Sequence, residues 1–135
     1  MSKQTQIEQF LKHEFPQSLS CSIEQLVTGG AIVRYKVGQQ DLRPGGTVSG
    51  PTMMTIADFA MYIAILSEVG LQALAVTSQL NIHFLRKPQA ECDLIANCQL
   101  LKTGKNLVIG EIKVYSEGQV MPVAQVTATY VLPPK

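Results

Sequence analysis

The chain has no tryptophan, few aromatic residues (6%) and little charge: Asp, Glu, Lys and Arg together make up 16% of its 135 residues. Globular domains typically carry about 25% charge. Part of this surface is therefore expected to be covered, most simply by another subunit. The net charge is +1, and no basic run or aromatic-interleaved patch is present, which excludes a nucleic-acid partner. Three cysteines, Cys21, Cys92 and Cys98, without a Cys-x-x-Cys pair, argue against a disulfide framework or a zinc site. Cys92 and Cys98 read as small buried hydrophobes. With no signal peptide in front, the expected location is cytoplasmic. The longest apolar stretch, residues 53–66, is interrupted by Asp58. It is shorter than the roughly 20 residues a bilayer requires, so no membrane span is expected.

What the chain does have is 46% apolar residues, enough for the core of one domain spanning residues 1–135. Ile7, Phe10 and Leu11 recur at helical spacing in residues 5–13, and Pro16 closes this short amphipathic helix. It forms an N-terminal helical extension, residues 1–19. Residues 22–27 and 31–37 predict two strands joined at Thr28-Gly29-Gly30, followed by a glycine-rich loop over residues 38–50. Residues 51–69 predict a helix that is apolar almost all round, with Pro51 near its start and Gly70 as C-cap. The apolar period then changes to two, predicting strands at 76–85, 92–100, 107–115 and 121–131. Tight turns between them suggest an antiparallel meander. In the first of these strands, Val76, Leu80, Ile82 and Phe84 mostly share one face. Thr77, Gln79, Asn81 and His83 share the other, a candidate contact between dimers. The expected class is α+β: a curved antiparallel sheet wrapped around one long central helix.

A single acid, Asp58, lies mid-helix in this apolar segment, where a carboxylate is costly unless it is paired or has a chemical role. The stretch Ser49-Gly-Pro-Thr-Met-Met-Thr-Ile-Ala-Asp58 resembles the motif of hot-dog-fold acyl-CoA thioesterases of the 4-hydroxybenzoyl-CoA and phenylacetate-pathway type. Gln79-Leu-Asn-Ile-His-Phe-Leu-Arg86, Lys102-Thr-Gly-Lys-Asn106 and Ile109-Gly-Glu-Ile-Lys-Val-Tyr115 resemble the following segments of that family, in order. Gly50 matches the motif's first glycine and Asp58 its acid. Ser49 stands where the family has His, Pro51 where it has a second Gly, and Arg43 where it often has Asn or Gln. The resemblance implies a hot-dog fold, a coenzyme A thioester as substrate with no separate cofactor or metal, and substrate contacts from Arg43 and Ser49. It also brings Arg86 and Lys105, with neighbouring Lys87, forward as candidates to grip coenzyme A phosphates.

Thioester hydrolysis needs a polarised carbonyl and a nucleophile. The N–H of Gly50, at the helix N-terminus, suits a developing oxyanion, whereas Pro51 has no N–H to offer. Asp58 would be the nucleophile or the general base. Thr55 and Tyr62 lie on its helical stripe and could orient it or line an acyl pocket, with Met54 among the apolar wall residues. Eight positions separate Gly50 from Asp58, about 12 Å along a helix axis. One thioester carbon cannot touch both within one chain, so a two-fold dimer with antiparallel helices is expected to complete each site. The family resemblance implies the same composite site, with sheets joined edge to edge; a dimer of dimers is equally open. Two other functions remain open at this stage. One is a non-enzymatic acyl-CoA binder or sensor. The other is a hydratase or dehydratase, disfavoured because Ile63 stands where such enzymes place a His and no His lies between His13 and His83.

Overall fold

The computed structural model describes residues 2–16, 20–71 and 74–133. The last positions of the expected N-terminal extension, 17–19, lie outside the described residues. The order of elements is α1 (Lys3–Glu14), β1 (Cys21–Val27), β2 (Gly30–Tyr35), α2 (Gly50–Glu68), β3 (Val76–Phe84), β4 (Leu94–Thr103), β5 (Leu107–Ser116) and β6 (Ala124–Val131). A short 3-10 turn, Gln39–Asp41, interrupts the loop before α2.

Ser49 starts α2. Its extended backbone precedes the first turn, and its hydroxyl accepts the Thr52 N–H at 3.3 Å, satisfying a donor that the helix itself cannot. Val69 is the C-cap and Gly70, expected there, follows it at φ +122°, a conformation that suits glycine. Between these ends α2 is buried nearly all round, with Ile56, Ala57, Ala60, Met61, Ile63, Ala64 and Ile65 fully covered. Truncating Ile56 or Ile63 to Ala would be expected to cost about 2–5 kcal/mol. By length and composition alone α2 could cross a bilayer, but 72% of its most apolar window is buried inside the fold. It is a core helix. Gly110 on β5 faces it, and a Cβ there would come within 2.6 Å of the Met61 sulfur, so the glycine lets helix and sheet approach closely.

The sheet is antiparallel throughout, with strand order β1-β2-β4-β5-β6-β3. The expected meander therefore holds only for β4, β5 and β6. β3 does not pair with β4; the chain carries it across to the far edge, where it pairs with β6. Local sequence cannot reveal this, because strand pairing is a non-local choice. β4 also begins at Leu94, two residues after Cys92, which is only partly buried in the preceding loop. Cys98 is buried as expected.

The alternation expected in β3 is broken as well. Thr77 pairs with Tyr130 and Gln79 with Thr129, leaving Ser78 as an extra residue on the β3 side. This bulge reverses which face successive side chains take. Thr77 shares the inner face with buried Tyr130, while Gln79, Asn81 and His83 stay outside, opposite Thr129, Thr127 and Gln125. Thr77 therefore does not belong to the outer polar row, and Val76, opposite Val131, leaves the inner apolar row.

Candidate active site

Asp58 is the centre of the site. Position on α2 turns it toward β3 and β6, where two hydroxyls meet it. Thr77 Oγ1 donates to Asp58 Oδ1 at 2.6 Å, and the Tyr130 hydroxyl donates to the same oxygen at 2.8 Å. Tyr130 also lies 3.2 Å from the Asp58 main-chain oxygen. Having one proton, it favours the closer and charged acceptor. Asp58 Oδ2 takes no hydrogen bond from any described residue. The carboxylate is thus held by one oxygen while the other stays available.

Burial pushes the Tyr130 phenol well above its ordinary value, and the neighbouring Asp58 charge adds to this. The phenol therefore remains a donor across the working range of any enzyme. Tyr62, raised first by burial and then by the charge of Glu14, behaves likewise. The Tyr62 and Tyr130 rings stack at 6.3 Å, and Phe15 meets Tyr62 edge-on at 6.0 Å.

These groups line a cavity of about 490 Å³, within the range of small-molecule sites. Thr55 and Tyr62, expected near Asp58, both line it, with Phe15, Phe59, Thr77 and Tyr130 among the remaining walls. Thr55 does not orient the carboxylate; its hydroxyl donates to the Pro51 carbonyl at 3.0 Å.

The other expected site residues lie elsewhere. Arg43, Ser49, Gly50, Met54, Arg86, Lys87 and Lys105 are all absent from the cavity wall. Ser49 is occupied as the helix cap. The Gly50 N–H has no acceptor among the described residues. A Cβ at Gly50 would come within 3.2 Å of the Phe84 ring, placing this end of α2 beside the end of β3. Arg43 and Met54 are exposed. Arg86, Lys87 and Lys105 are also exposed, and Arg86 donates to the Pro122 carbonyl. Arg86 follows the Gly50 end of β3. Lys105 sits in the β4–β5 turn, next to Leu107, whose row runs through Val131 to Val76 at the Asp58 end.

Three residues escaped the sequence reading. Tyr130 gave one signal: it falls on the inner alternation of β6 with Val126 and Ala128, where a phenol needs a partner. Thr77 was placed on the wrong face by the bulge. Asp41, inside the glycine-rich loop, drew no notice in the sequence and is 4% exposed. Its carboxylate accepts the Tyr35 hydroxyl at 2.8 Å, the Thr52 hydroxyl at 3.0 Å and the Gly38 N–H at 2.8 Å. Its carbonyl takes the Ser49 N–H at 2.7 Å. Asp41 thereby ties the glycine-rich loop to the first turn of α2, directly behind Gly50.

Among the described residues no cluster of His, Cys, Asp or Glu could hold a metal ion.

A long helix wrapped by a six-stranded antiparallel sheet, with one oriented carboxylate on a cavity, defines the hot-dog class. The chain belongs to the thioesterase superfamily, whose family model matches residues 45–123. The fold is similar to that of a candidate thioesterase from Silicibacter sp., 42% identical, with a TM-score of 0.90 over 97% of this chain and 92% of that one. It is similar to the PaaI protein of the E. coli phenylacetic acid degradation operon, with 25% identity, a TM-score of 0.83 and coverage of 98% and 94%. A hypothetical thioesterase from Streptococcus pneumoniae, solved with coenzyme A, shares the fold at 19% identity, with a TM-score of 0.73 over 85% and 90% of the two chains. No curated protein matches the chain.

Proposed function

We propose that this protein hydrolyses an acyl-CoA thioester to a free acid and coenzyme A, at sites built from two copies of the chain. The observation that carries this reading is the half-paired Asp58. Two hydroxyls fix Oδ1, Oδ2 accepts from no described residue, and Asp58 lines a cavity of acyl-group size. A carboxylate with only a structural role would be expected to use both oxygens.

In this reading the Gly50 N–H of one copy polarises the thioester carbonyl. Asp58 Oδ2 of the other copy either attacks the carbonyl carbon or removes a proton from attacking water. When Asp58 attacks, the C–S bond breaks to leave a mixed anhydride on Asp58, which water then hydrolyses to the free acid, a proton from that water balancing the departing thiolate. When Asp58 acts as base, the C–S bond breaks as water adds, and the proton held by Asp58 passes to the thiolate. Thr77 and Tyr130 hold the carboxylate in place. Separation of Gly50 from the Asp58 cavity supports the composite site. So does the outer edge of β3, unpaired among the described residues, with Val76, Phe84 and the following Leu85 exposed along it. An unpaired edge with apolar neighbours favours addition of another strand. Antiparallel pairing of β3 with its copy would bring the Arg86 end of one chain to the Lys105 end of the other, placing cations from both at one mouth. That cation pairing is the proposed coenzyme A contact.

The test mixes two inactive variants. Gly50→Pro removes the donor N–H, and the extended Ser49 backbone is already compatible with a following proline. Asp58→Ala removes the carboxylate. Free-thiol release from short, medium, long and aromatic acyl-CoAs should vanish in each variant alone. Random subunit exchange should then restore about a quarter of wild-type activity, since half the dimers carry one intact site of two. Exchange without recovery would refute the cross-chain site. Tight coenzyme A binding with no thioester cleaved by the wild type would instead favour the binder or sensor.

A further inference from the structure

We propose that Phe15, at the C-terminal end of α1, limits the length of the acyl group that the Asp58 cavity accepts. The proposal rests on the thioesterase reading and adds a substrate class: compact acyl groups, with long unbranched chains excluded.

A second cavity, of about 370 Å³, lies between α1 and β1. Its walls include Leu11, Ile23 and Phe59, with Glu8 and Lys12 also lining it. The two cavities share Phe15, Cys21 and Phe59 as wall residues. Phe59 is 5% exposed and belongs to the core of α2, and Cys21 opens β1. Phe15 is different in kind. It is half-buried, caps a helix, and turns its ring edge-on to Tyr62 on the Asp58 side. Its ring is therefore the one part of the shared wall that ends at a helix terminus.

The position of α1 does not depend on that ring. Ile7 and Leu11 are buried, Lys3 Nζ donates to the Ser67 carbonyl at 3.1 Å, and Gln4 Nε2 donates to the Ile23 carbonyl at 3.3 Å. Shortening Phe15 should open a passage from the first cavity to the second while leaving α1 docked. A polymethylene chain suits the space behind it, since each buried methylene adds about fourfold in affinity. The family match begins at residue 45, so the element proposed to set chain length lies outside the matched segment.

The experiment compares non-hydrolysable butyl-, octyl- and dodecyl-CoA thioethers by calorimetry, together with thiol release from the matching thioesters. In the wild type, affinity should stop rising before dodecyl. In Phe15→Ala the dodecyl-to-butyl affinity ratio should rise at least tenfold. Adding Leu11→Phe to fill the second cavity should reverse that gain. An unchanged ratio in a folded Phe15→Ala variant would overturn the proposal, as would an equal gain at every length. If Phe15→Ala melts early, Phe15→Leu gives the same comparison with a smaller opening. A wild type that cleaves no thioester would sink the thioesterase reading, and the thioether affinities would still decide the role of Phe15.

Discussion

Tyr130→Phe isolates the device on which the proposed chemistry depends. The change removes one hydroxyl and keeps the ring, so the stack on Tyr62 and the packing of a residue only 4% exposed are retained. Asp58 Oδ1 loses the 2.8 Å bond and keeps the one from Thr77, whose residue is exposed. A hydrogen bond to a charged group contributes about 1.5–3 kcal/mol. If about 1.4–2.7 kcal/mol of that is needed to hold Oδ2 on line, kcat should fall roughly 10- to 100-fold. KM should move little, because the phenol touches the carboxylate rather than the thiol leaving group. The melting temperature should drop by about 6–12 °C if the whole bond is lost, at about 4 °C for each kcal/mol in a chain of this size. Thiol release measured over a range of acyl-CoA concentrations separates the two constants. Thr77→Val should be milder alone, and the double variant should depart from additivity because both hydroxyls serve one oxygen. If Tyr130→Phe keeps kcat within twofold while Asp58→Asn is inactive, the orienting role of Tyr130 is wrong.

Two further outcomes follow from the same structure. Asp41→Ala strands the Tyr35 hydroxyl and the Gly38 N–H and leaves the Thr52 hydroxyl with Ser49 Oγ as its remaining partner, at 2.9 Å, so chemical denaturation should register a loss of about 2 kcal/mol or more, at about 1–3 kcal/mol per unsatisfied group; a loss below 1 kcal/mol would show that water or a rearranged loop replaces the carboxylate. Stability should also fall in alkali. Burial, and for Cys21 the nearby Asp41 charge, pushes the Cys21 and Cys98 thiols from 9.0 to about 12. Burial, then Asp41, pushes the Tyr35 phenol from 10.0 to about 12. Each folded-state value lies above the unfolded one, so the stabilisation is complete below pH 9 and is lost as pH rises toward 12. Urea midpoints should be flat up to pH 9 and then decline, less steeply in Cys98→Ala or Tyr35→Phe; an equal slope in both variants would remove these groups as the cause.

The residues differ in how visible they were from the sequence, and the reasons are physical. Asp58 and Gly50 stood out because a lone acid in an apolar helix and a glycine at its start are local signals. The strands of β4 and β5 were legible because their alternation is nearly unbroken, as in buried Leu94, Ala96 and Cys98. What could not be read locally was pairing. Tyr130 lies 72 residues from Asp58 along the chain, and only the crossover that carries β3 to the sheet edge brings Thr77 beside both. Asp41 was hidden for a related reason. Its neighbours Gln39 and Gln40 are exposed and polar, whereas the three donors that surround it come from a turn, a strand and a helix.

The bulge at Ser78 makes β3 a frame-sensitive element. Every side chain before it takes the face opposite to the one that counting back from Phe84 would assign. Deleting Ser78 would leave Thr77 opposite Tyr130 and Gln79 opposite Thr129, the partners they already have, and so keep the Thr77 hydroxyl on Asp58. A strand of unchanged length paired without the bulge would instead set Ser78 opposite Tyr130 and turn Thr77 outward. The carboxylate's orientation is thus encoded partly as a register, and a slip of one position in the pairing can turn Thr77 away from it without any change of residue.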